Sequence, residues 1–244
     1  MEYKECIILA GGLGTRLQSA VPDKPKCLAD IAGKPFLYYL AQYLKPYHFQ
    51  HIILAVGHKR EMIMDYVENN PDVFPCHVSF SIEEEPLGTG GAIAQAMQFV
   101  QTEDVFVLNG DTFFDVDLDA MLAFQRNKMA DCTLALKPML HASRYGLVET
   151  DEHDLITTFH EKKENASGLI NGGVYCLFKK AFQSIPFPTR FSFETAYLEN
   201  HLQEREMAGF IQHKYFLEIG IPEDYEKAQT EIHFYFQQKI LGES

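Results

Sequence analysis

The first strand and loop of the chain read Ile7-Ile8-Leu9-Ala10-Gly11-Gly12-Leu13-Gly14-Thr15-Arg16-Leu17. The segment begins as an apolar run without alternation, which is typical of a strand buried on both faces of a parallel sheet. Three glycines follow, where a backbone without Cβ atoms can turn sharply and bring its amides close to a ligand. Arg16 comes next and Lys26 lies ten residues further on. Free amides and two cations together predict a polyphosphate site.

Other structures contain glycine-rich loops of this kind. A P-loop requires Gly-Lys-Ser/Thr after the glycines, whereas Gly14 is followed here by Thr15 and Arg16. A dinucleotide-binding fingerprint requires a third small residue where the helix packs on the strand, and the spacing here is wrong for it. A turn without a ligand would explain the glycines but not the two cations.

The composition limits the class of protein. A chain of 244 residues with 46% apolar residues suits one large α/β domain. The formal net charge of −13 argues against a nucleic acid polymer as a partner, because polymer binding depends on a basic face. No window approaches eighteen uncharged apolar residues, which argues against a membrane span.

The cysteines and the N-terminus indicate a cellular location. Five cysteines are scattered without a CxxC pair, which argues against a disulfide framework or a zinc site. The first strand begins almost at once, which leaves no room for a signal peptide. We therefore expect a cytoplasmic protein with reduced thiols.

Strand-like and helix-like segments alternate, which predicts an α/β fold with helices on both faces of the sheet. Strands are expected at 6–10, 51–56, 77–82, 105–108 and 132–136, and then as shorter runs at 146–149, 155–159, 174–178 and 215–219. Helices are expected at 34–47, 61–68, 91–100, 118–128 and 193–202, and from Pro222 onward. We interpret 1–244 as a single domain, with a nucleotide-binding half at about 1–140 and an acceptor half at about 141–244.

The loop resembles the signature of a known family. Leu9 to Leu17 followed by Pro25-Lys26 is similar to the signature of the sugar-phosphate nucleotidylyltransferases, which join a nucleoside triphosphate to a sugar 1-phosphate and release pyrophosphate. The resemblance extends over nearly the whole chain. It implies a Rossmann-like three-layer α/β/α sandwich with a mixed, mostly parallel central sheet. It also implies nucleotide contacts from Leu9, Gly11, Gly12, Gly14 and Thr15, with Arg16 and Lys26 as catalytic residues.

The segment Glu83-Glu84-Glu85-Pro86-Leu87-Gly88-Thr89 resembles the base-recognition loop of that family. The resemblance places the base reader at Glu83, with Gly88 and Thr89 as further nucleotide contacts. A carboxylate accepts two hydrogen bonds and donates none, which suits the adjacent N–H donors of guanine better than uracil or thymine. The residues therefore favour GTP. Glu85 is the rival reader, and a solvated acidic run is the third interpretation.

Asn109-Gly110-Asp111 follows an apolar strand and presents a carboxylate at its end. Ligands of open α/β sheets bind beyond the carboxyl ends of the strands, and carboxylates with phosphates and water suit Mg²⁺. The resemblance gives Asp111 a catalytic, metal-binding role. The second metal position implied by the resemblance is Glu218, in Glu218-Ile219-Gly220-Ile221-Pro222, where the family usually has aspartate. The extra methylene leaves three alternatives: a shifted metal, ligation through water, or reduced activity.

The resemblance places the sugar-phosphate contacts in the second half. It implies that Gly146, Glu161 and Asn171 bind sugar hydroxyls and that Lys162 meets the sugar phosphate. Ser192 is predicted to be a helix N-cap. None of the ten histidines shows metal-ligand spacing or a nucleophile partner.

The sequence therefore predicts a Mg²⁺-dependent transferase whose partners are a nucleoside triphosphate and a sugar 1-phosphate. It is most similar to guanylyltransferases for manno-configured sugars, with a manno-heptose 1-phosphate favoured as acceptor and cell-surface polysaccharide as the destination. A uridylyl-, thymidylyl- or cytidylyltransferase acting on another sugar or choline phosphate is the alternative. A nucleotide-sensing domain without turnover is a second one. The sequence is compatible with a homodimer.

Overall fold

The computed structural model describes residues 3–74, 76–160 and 167–242. The strands are β1 (Glu5–Leu9), β2 (Asp30–Ile31), β3 (Lys34–Pro35), β4 (His51–Val56), β5 (His77–Ile82), β6 (Asp104–Asn109), β7 (Thr112–Phe114), β8 (Cys132–Met139), β9 (Leu147–Thr150), β10 (Ile156–His160), β11 (Gly168–Phe178), β12 (Met207–Ile211) and β13 (Phe216–Glu218). The α-helices are α1 (Phe36–Leu44), α2 (Arg60–Asn69), α3 (Gly88–Ala96), α4 (Leu118–Lys128), α5 (Lys179–Gln183) and α6 (Pro222–Gly242), and Phe193–Glu199 forms a π-helix.

Nine of the described strands form one mixed sheet, as expected. Seven of them run in the order β10-β9-β11-β6-β1-β4-β5, while β8 pairs with β11 and β12 pairs with β8. β6, β1, β4 and β5 are parallel, whereas β11 runs antiparallel to β6 and β8. The parallel strands therefore end at one edge, and β11 brings the second half of the chain to that edge.

Side chains of β1 alternate between two cores, one on each face of the sheet. Cys6 and Ile8 pack with α1, α2, α4 and α6, whereas Ile7 packs with α3, α5 and the π-helix. All three side chains are fully buried. This is the reason for the unbroken apolar run in the sequence, because a strand covered on both faces has no polar side. The chain is a three-layer α/β/α sandwich.

Several predicted elements differ at their ends. The helix expected at 34–47 begins at Phe36, because Lys34 and Pro35 pair with β2 instead, and its last turn is a 3-10 helix (Lys45–Tyr47). The helix expected at 91–100 begins at Gly88, and the one at 193–202 is a π-helix that ends at Glu199. β12 was not expected, because Met-Ala-Gly-Phe-Ile does not alternate and contains a glycine.

Two expectations about the whole chain can be compared with the fold. All five cysteines are free thiols, and four of them are buried. Within the described ranges, none of the helices combines the length and the apolar character that crossing a bilayer requires.

Candidate active site

A cavity of about 310 Å³ opens at the carboxyl ends of β1 and β6. Most of the residues predicted to bind the nucleotide lie on its wall, together with Lys26 and Asp111, two of the three predicted catalytic residues. The lining consists of Leu9, Ala10, Gly11, Gly12, Leu13, Lys26, Cys27, Glu83, Pro86, Gly88, Thr89, Ala92, Asn109, Gly110 and Asp111. The glycine-rich loop, the segment 83–89 and the end of β6 therefore form one site, as the position of parallel strand ends predicts.

Two glycines of the first loop are needed for close approaches. Gly14 has a φ of +65°, and a Cβ there would lie 3.0 Å from Lys26 Cγ. A Cβ on Gly11 would lie 2.4 Å from Glu83 Oε1. The absence of side chains thus lets Lys26 and Glu83 lie directly against the loop backbone.

Lys26 and Asp111 form an ion pair in this cavity. Lys26 Nζ donates to Asp111 Oδ2 over 2.9 Å, and the two side chains are only 15% and 28% exposed. Lys26 begins a short 3-10 helix, and Asp111 follows β6 after Gly110. A Cβ on Gly110 would lie 2.5 Å from the Leu9 carbonyl, so only glycine allows β6 to turn this close to β1.

Glu83 is half-buried behind the loop. Its Oε2 accepts a hydrogen bond from the Leu87 amide at 3.0 Å. Burial raises the pKa of Glu83, and this hydrogen bond only partly offsets the shift. Glu84 and Glu85 are exposed, and Glu84 pairs with Arg60 at 3.0 Å. Of these three acidic residues, Glu83 alone lines the first cavity.

A second cavity of about 210 Å³ adjoins the first and shares Asn109 with it. Its lining includes the predicted sugar contacts that the structure describes, as well as Glu218 and Arg16. The residues are Arg16, Asn109, Arg144, Tyr145, Gly146, Asn171, Gly173, Tyr175, Glu194, Glu218, Ile221 and Asp224. Arg16, which we expected beside the triphosphate, is exposed and borders this second cavity. Thr15 precedes it in the same exposed turn and lines neither of these two cavities.

A bulge in β11 shapes the second cavity. Asn171 pairs with Leu136 and Tyr175 with Leu134, so two extra residues, Gly172 and Gly173, bulge out between them. Gly173 has a φ of +71°, and a Cβ there would lie 2.7 Å from Asn109 Nδ2. In the side chain of Asn171, Nδ2 donates to Tyr175 Oη at 2.8 Å and Oδ1 accepts from the backbone N–H of Gly173 at 3.0 Å. The bulge thereby places Asn171 on the wall of the second cavity and brings β11 against Asn109.

Asp111 and Glu218 come from neighbouring backbones. Glu218 pairs with Thr112 in the β7–β13 ribbon, and the Ile219 amide donates to the Asp111 carbonyl at 2.9 Å. Tyr145 hydrogen-bonds the Glu218 carboxylate; burial and that negative charge raise the pKa of Tyr145. A Cβ on Gly220 would lie 2.5 Å from Glu218 Oε1, so the longer side chain folds back over a residue that has none.

The donors at this place suit a hard cation. Asp111, in the turn between β6 and β7, and Glu218, at the end of β13, supply few protein oxygens, as Mg²⁺ prefers when phosphates and water complete its shell. Within the described ranges, no cluster of three or more metal-binding side chains occurs. A Mg²⁺ ion held by Asp111 and Glu218 would therefore need phosphate or water oxygens to complete its coordination shell.

The sequence indicated no role for several residues on these walls. Asn109 borders both cavities, and its position at the end of β6 was the available signal. Arg144 lines the second cavity, pairs with Asp224 at 2.7 Å and lies over the Tyr145 ring. Neither a motif nor a spacing pointed to Arg144. Two predicted sugar contacts, Glu161 and Lys162, lie outside the described residues.

The second half of the chain contacts Thr89, a residue on the wall of the first cavity. Thr89 Oγ1 donates to Glu194 Oε2 at 2.7 Å and accepts from the Phe193 amide at 2.9 Å. Ser192 caps the π-helix by accepting from the Thr195 amide, which confirms the predicted N-cap. Gly88 has a φ of +73°, and a Cβ there would lie 2.5 Å from the Phe191 carbonyl. The start of α3 is therefore fixed against the π-helix.

Comparison with known proteins shows what this arrangement resembles. The family model described as "Nucleotidyl transferase" matches residues 5–234. The chain is 46% identical over 231 residues to D-glycero-alpha-D-manno-heptose 1-phosphate guanylyltransferase of Aneurinibacillus thermoaerophilus, covering 95% of this chain and 99% of that protein. The crystal structure of HddC from Yersinia pseudotuberculosis complexed with GMP-PN superposes with a TM-score of 0.82 at 38% identity, covering 93% and 98% of the two chains. UDP-glucose pyrophosphorylase complexed with UDP-glucose shares the fold, with a TM-score of 0.78 at 19% identity and coverage of 97% and 100%.

Proposed function

Because the chain belongs to the nucleotidyl transferase family, we propose that it transfers GMP from GTP to a sugar 1-phosphate and releases pyrophosphate. The favoured acceptor is a manno-heptose 1-phosphate, the substrate named for the relative in Aneurinibacillus thermoaerophilus. The proposal continues the sequence prediction. It assigns the first cavity to the nucleotide and the second to the sugar phosphate.

The observation that carries the proposal is the contact of the two cavities at Asn109. One cavity is lined by glycines and by the Lys26–Asp111 pair, and the other by Gly146, Asn171 and further polar side chains such as Glu194 and Asp224. A transferase that joins two phosphorylated substrates needs two such sites that meet where the new bond forms. A nucleotide sensor without turnover has no need of the second cavity.

Glu83 supports guanine as the base. It is half-buried at the cavity wall, and one of its oxygens already accepts from Leu87. A carboxylate at this position offers acceptors to the paired N–H groups of guanine, whereas uracil would bring acceptors against it. The GMP-PN complex of the HddC relative is consistent with this choice.

The chemistry follows from the charges. An oxygen of the acceptor phosphate attacks the α-phosphorus of GTP, a P–O bond forms, and the bond from the α-phosphorus to the bridging oxygen breaks. Pyrophosphate leaves with that electron pair. A phosphate dianion is already a nucleophile, so no general base is required. Lys26 neutralises charge at the α-phosphate and the entering oxygen, and Arg16 meets phosphate from the acceptor side.

We further propose that Asp111 and Glu218 hold Mg²⁺. The two carboxylates fit this ion, which when bound neutralises phosphate charge shared by the two substrates. Their backbones are tied by the hydrogen bond from Ile219 to the Asp111 carbonyl. This bond keeps the two ligand positions together before a substrate arrives.

The test is a matrix of triphosphates against sugar 1-phosphates, scored by pyrophosphate release. We expect GTP with manno-heptose 1-phosphate to give the highest kcat/KM and to require Mg²⁺. Highest activity with UTP, dTTP or CTP would support another base, and highest activity with choline phosphate another acceptor. Binding of GTP without pyrophosphate release from any pair would overturn the transferase.

We also propose a cytoplasmic enzyme whose product feeds cell-surface polysaccharide synthesis. The five free thiols support a reducing compartment. Fractionation with a cytoplasmic marker checks the location. The homodimer that the sequence allows stays a prediction, which sedimentation velocity checks.

A further inference from the structure

Glu194 joins the two cavities, and no step above uses it. It lies on the wall of the acceptor cavity, and its Oε2 accepts from Thr89 Oγ1 at 2.7 Å and from Ser192 Oγ at 2.8 Å. Thr89 lies on the wall of the nucleotide cavity. One carboxylate therefore connects the two sites through a contact between residues 105 apart in the chain.

The second oxygen of this carboxylate is the informative one. Within 3–74, 76–160 and 167–242, the protein donates hydrogen bonds to Oε2 but none to Oε1. The side chain is half-buried, and its charge contributes, after burial, to raising the pKa of the nearby Tyr175. Oε1 is not one of the buried side-chain atoms that lack a partner in the described ranges, so it is accessible to a donor from the cavity that Glu194 lines. Hydroxyl groups are the donors that a sugar would bring to this wall.

The local structure does not depend on Glu194. Ser192 already caps the π-helix, and the Phe193 amide still donates to Thr89 without it. Backbone bonds also fix α3 to this segment: the Gly90 amide donates to Phe191 at 3.0 Å, and the Phe191 amide to Leu87 at 2.9 Å. Since the joint between the halves is held by other groups, the carboxylate is available for another task.

We propose that Glu194 is a specificity-determining residue whose Oε1 accepts a hydrogen bond from a hydroxyl of the sugar acceptor. Thr89 is the positioning residue that fixes Oε2 from the nucleotide side. This inference rests on the proposed function, because it takes the acceptor to be a polyhydroxylated sugar phosphate. It adds that a nucleotide that orders Thr89 also orders the acceptor contact, so the two substrates bind cooperatively.

The experiment measures binding without turnover. Isothermal titration follows manno-heptose 1-phosphate, and analogues lacking one ring hydroxyl each, binding to the full chain saturated with a non-hydrolysable GTP analogue. We expect E194A to weaken binding of the full sugar about 10- to 100-fold, and E194Q by less, while affinity for the GTP analogue is unchanged. One deoxy analogue should bind wild type more weakly than the full sugar does, by a factor similar to the effect of E194A. For this analogue, E194A should reduce the affinity hardly any further.

The positioning role is tested with a matched pair and a control. T89V removes the hydroxyl, and T89S keeps it. We expect T89V to raise the KM for the sugar about tenfold with a smaller change in kcat, and T89S to restore it. S192A removes the hydrogen bond from Ser192 Oγ to Glu194 Oε2, and Ser192 lines neither of the two cavities. It should therefore change the KM by less than T89V does.

The inference is overturned if E194A and E194Q bind the sugar as tightly as wild type does. It is also overturned if the loss of each ring hydroxyl weakens binding to E194A as much as it weakens binding to wild type, or if T89S does not restore the KM. A lower melting temperature with lost nucleotide affinity in both Glu194 variants would show a structural role and overturn it too. Wild type that binds the sugar but releases no pyrophosphate overturns the proposed function alone. Wild type that binds none of the sugar phosphates overturns both.

Discussion

Lys26 donates a hydrogen bond from Nζ to Asp111 Oδ2 over 2.9 Å, although 85 residues separate them in the chain. The pair connects the 3-10 helix after the glycine-rich loop to the end of β6, and both segments line the nucleotide cavity. Each residue compensates the charge of its partner while no substrate is bound, so neither charge is buried alone. Both charges stay beside the cavity where phosphate groups are expected.

We predict that Lys26→Ala lowers turnover by at least about 100-fold, because it removes the cation that balances charge developing at the α-phosphate. The pyrophosphate-release assay measures the loss, and circular dichroism checks that the fold is kept. Lys24→Ala is the matched control, since Lys24 is a nearby exposed lysine that pairs with Asp30 outside both cavities. Near-normal turnover in Lys26→Ala would refute the assignment.

We predict that Glu218→Asp keeps or raises activity. The shorter carboxylate is the usual one at this position in the family, and the longer one has to fold back over Gly220. The measurement is kcat as a function of Mg²⁺ concentration, with Glu218→Ala as the variant that should lose activity. Complete loss in Glu218→Asp would mean that the site requires the longer side chain and its contact with Tyr145.

We predict that Glu83→Gln reduces the preference for GTP over UTP by about tenfold or more, because an amide presents a donor as well as an acceptor to guanine. Competition between the two triphosphates in one assay measures the ratio. Glu85→Gln is the control and tests the rival reader. An unchanged ratio in Glu83→Gln with a changed one in Glu85→Gln would move the base reader to Glu85.

The same carboxylate predicts a pH dependence of GTP affinity. Burial raises the pKa of Glu83 above its ordinary value of 4.5, and only the ionised form accepts both N–H groups of guanine. The affinity for GTP should therefore increase as pH rises through that raised pKa and level off above it. Below that pKa, the binding of GTP should release a proton from Glu83. Titration calorimetry in buffers of different ionisation enthalpy measures the proton release. Glu83→Gln should show no such release.

At the opposite end of β1, Glu5 predicts a pH dependence of stability. Glu5 is fully buried and accepts from His51 Nδ1 at 2.8 Å and from the Thr102 amide at 2.6 Å. Burial raises the pKa of Glu5, but the hydrogen bonds from His51, Thr102 and Gln101 together lower it by a larger amount. The net shift is therefore downward. Its contribution to stability is therefore present above about pH 4.5 and is lost as pH falls through the lower folded pKa.

We predict that Glu5→Gln lowers the free energy of unfolding by about 1.5–3 kcal/mol at neutral pH and flattens its decrease in acid. Urea titrations between pH 3 and pH 7 measure both effects. Glu152→Gln is the control, because Glu152 is a largely exposed glutamate. Equal acid slopes for wild type and Glu5→Gln would contradict the prediction.

Local sequence predicted the parts of the site that lie within one strand and its following loop. Gly11, Lys26 and Asp111 could be recognised because each lies in a short motif whose chemistry is visible in a few neighbouring residues. Glu194 and Arg144 could not be, since their partners Thr89 and Asp224 are distant in the chain. β12 was missed because it forms a strand by pairing with β8, and its own residues do not show a strand pattern. The roles of the predicted site residues stay predictions that the variants test.

The antiparallel pairing of β11 with β6 has a practical consequence for inhibitor design. Val174 pairs with Leu108, so the bulge with Asn171 and the strand end with Asn109 are held in one hydrogen-bonded sheet. Under the proposed assignment of the two cavities, this pairing sets the spacing between the guanosine and the sugar. A bisubstrate compound should respond sharply to linker length, with one bridge length preferred and each atom more or less losing potency.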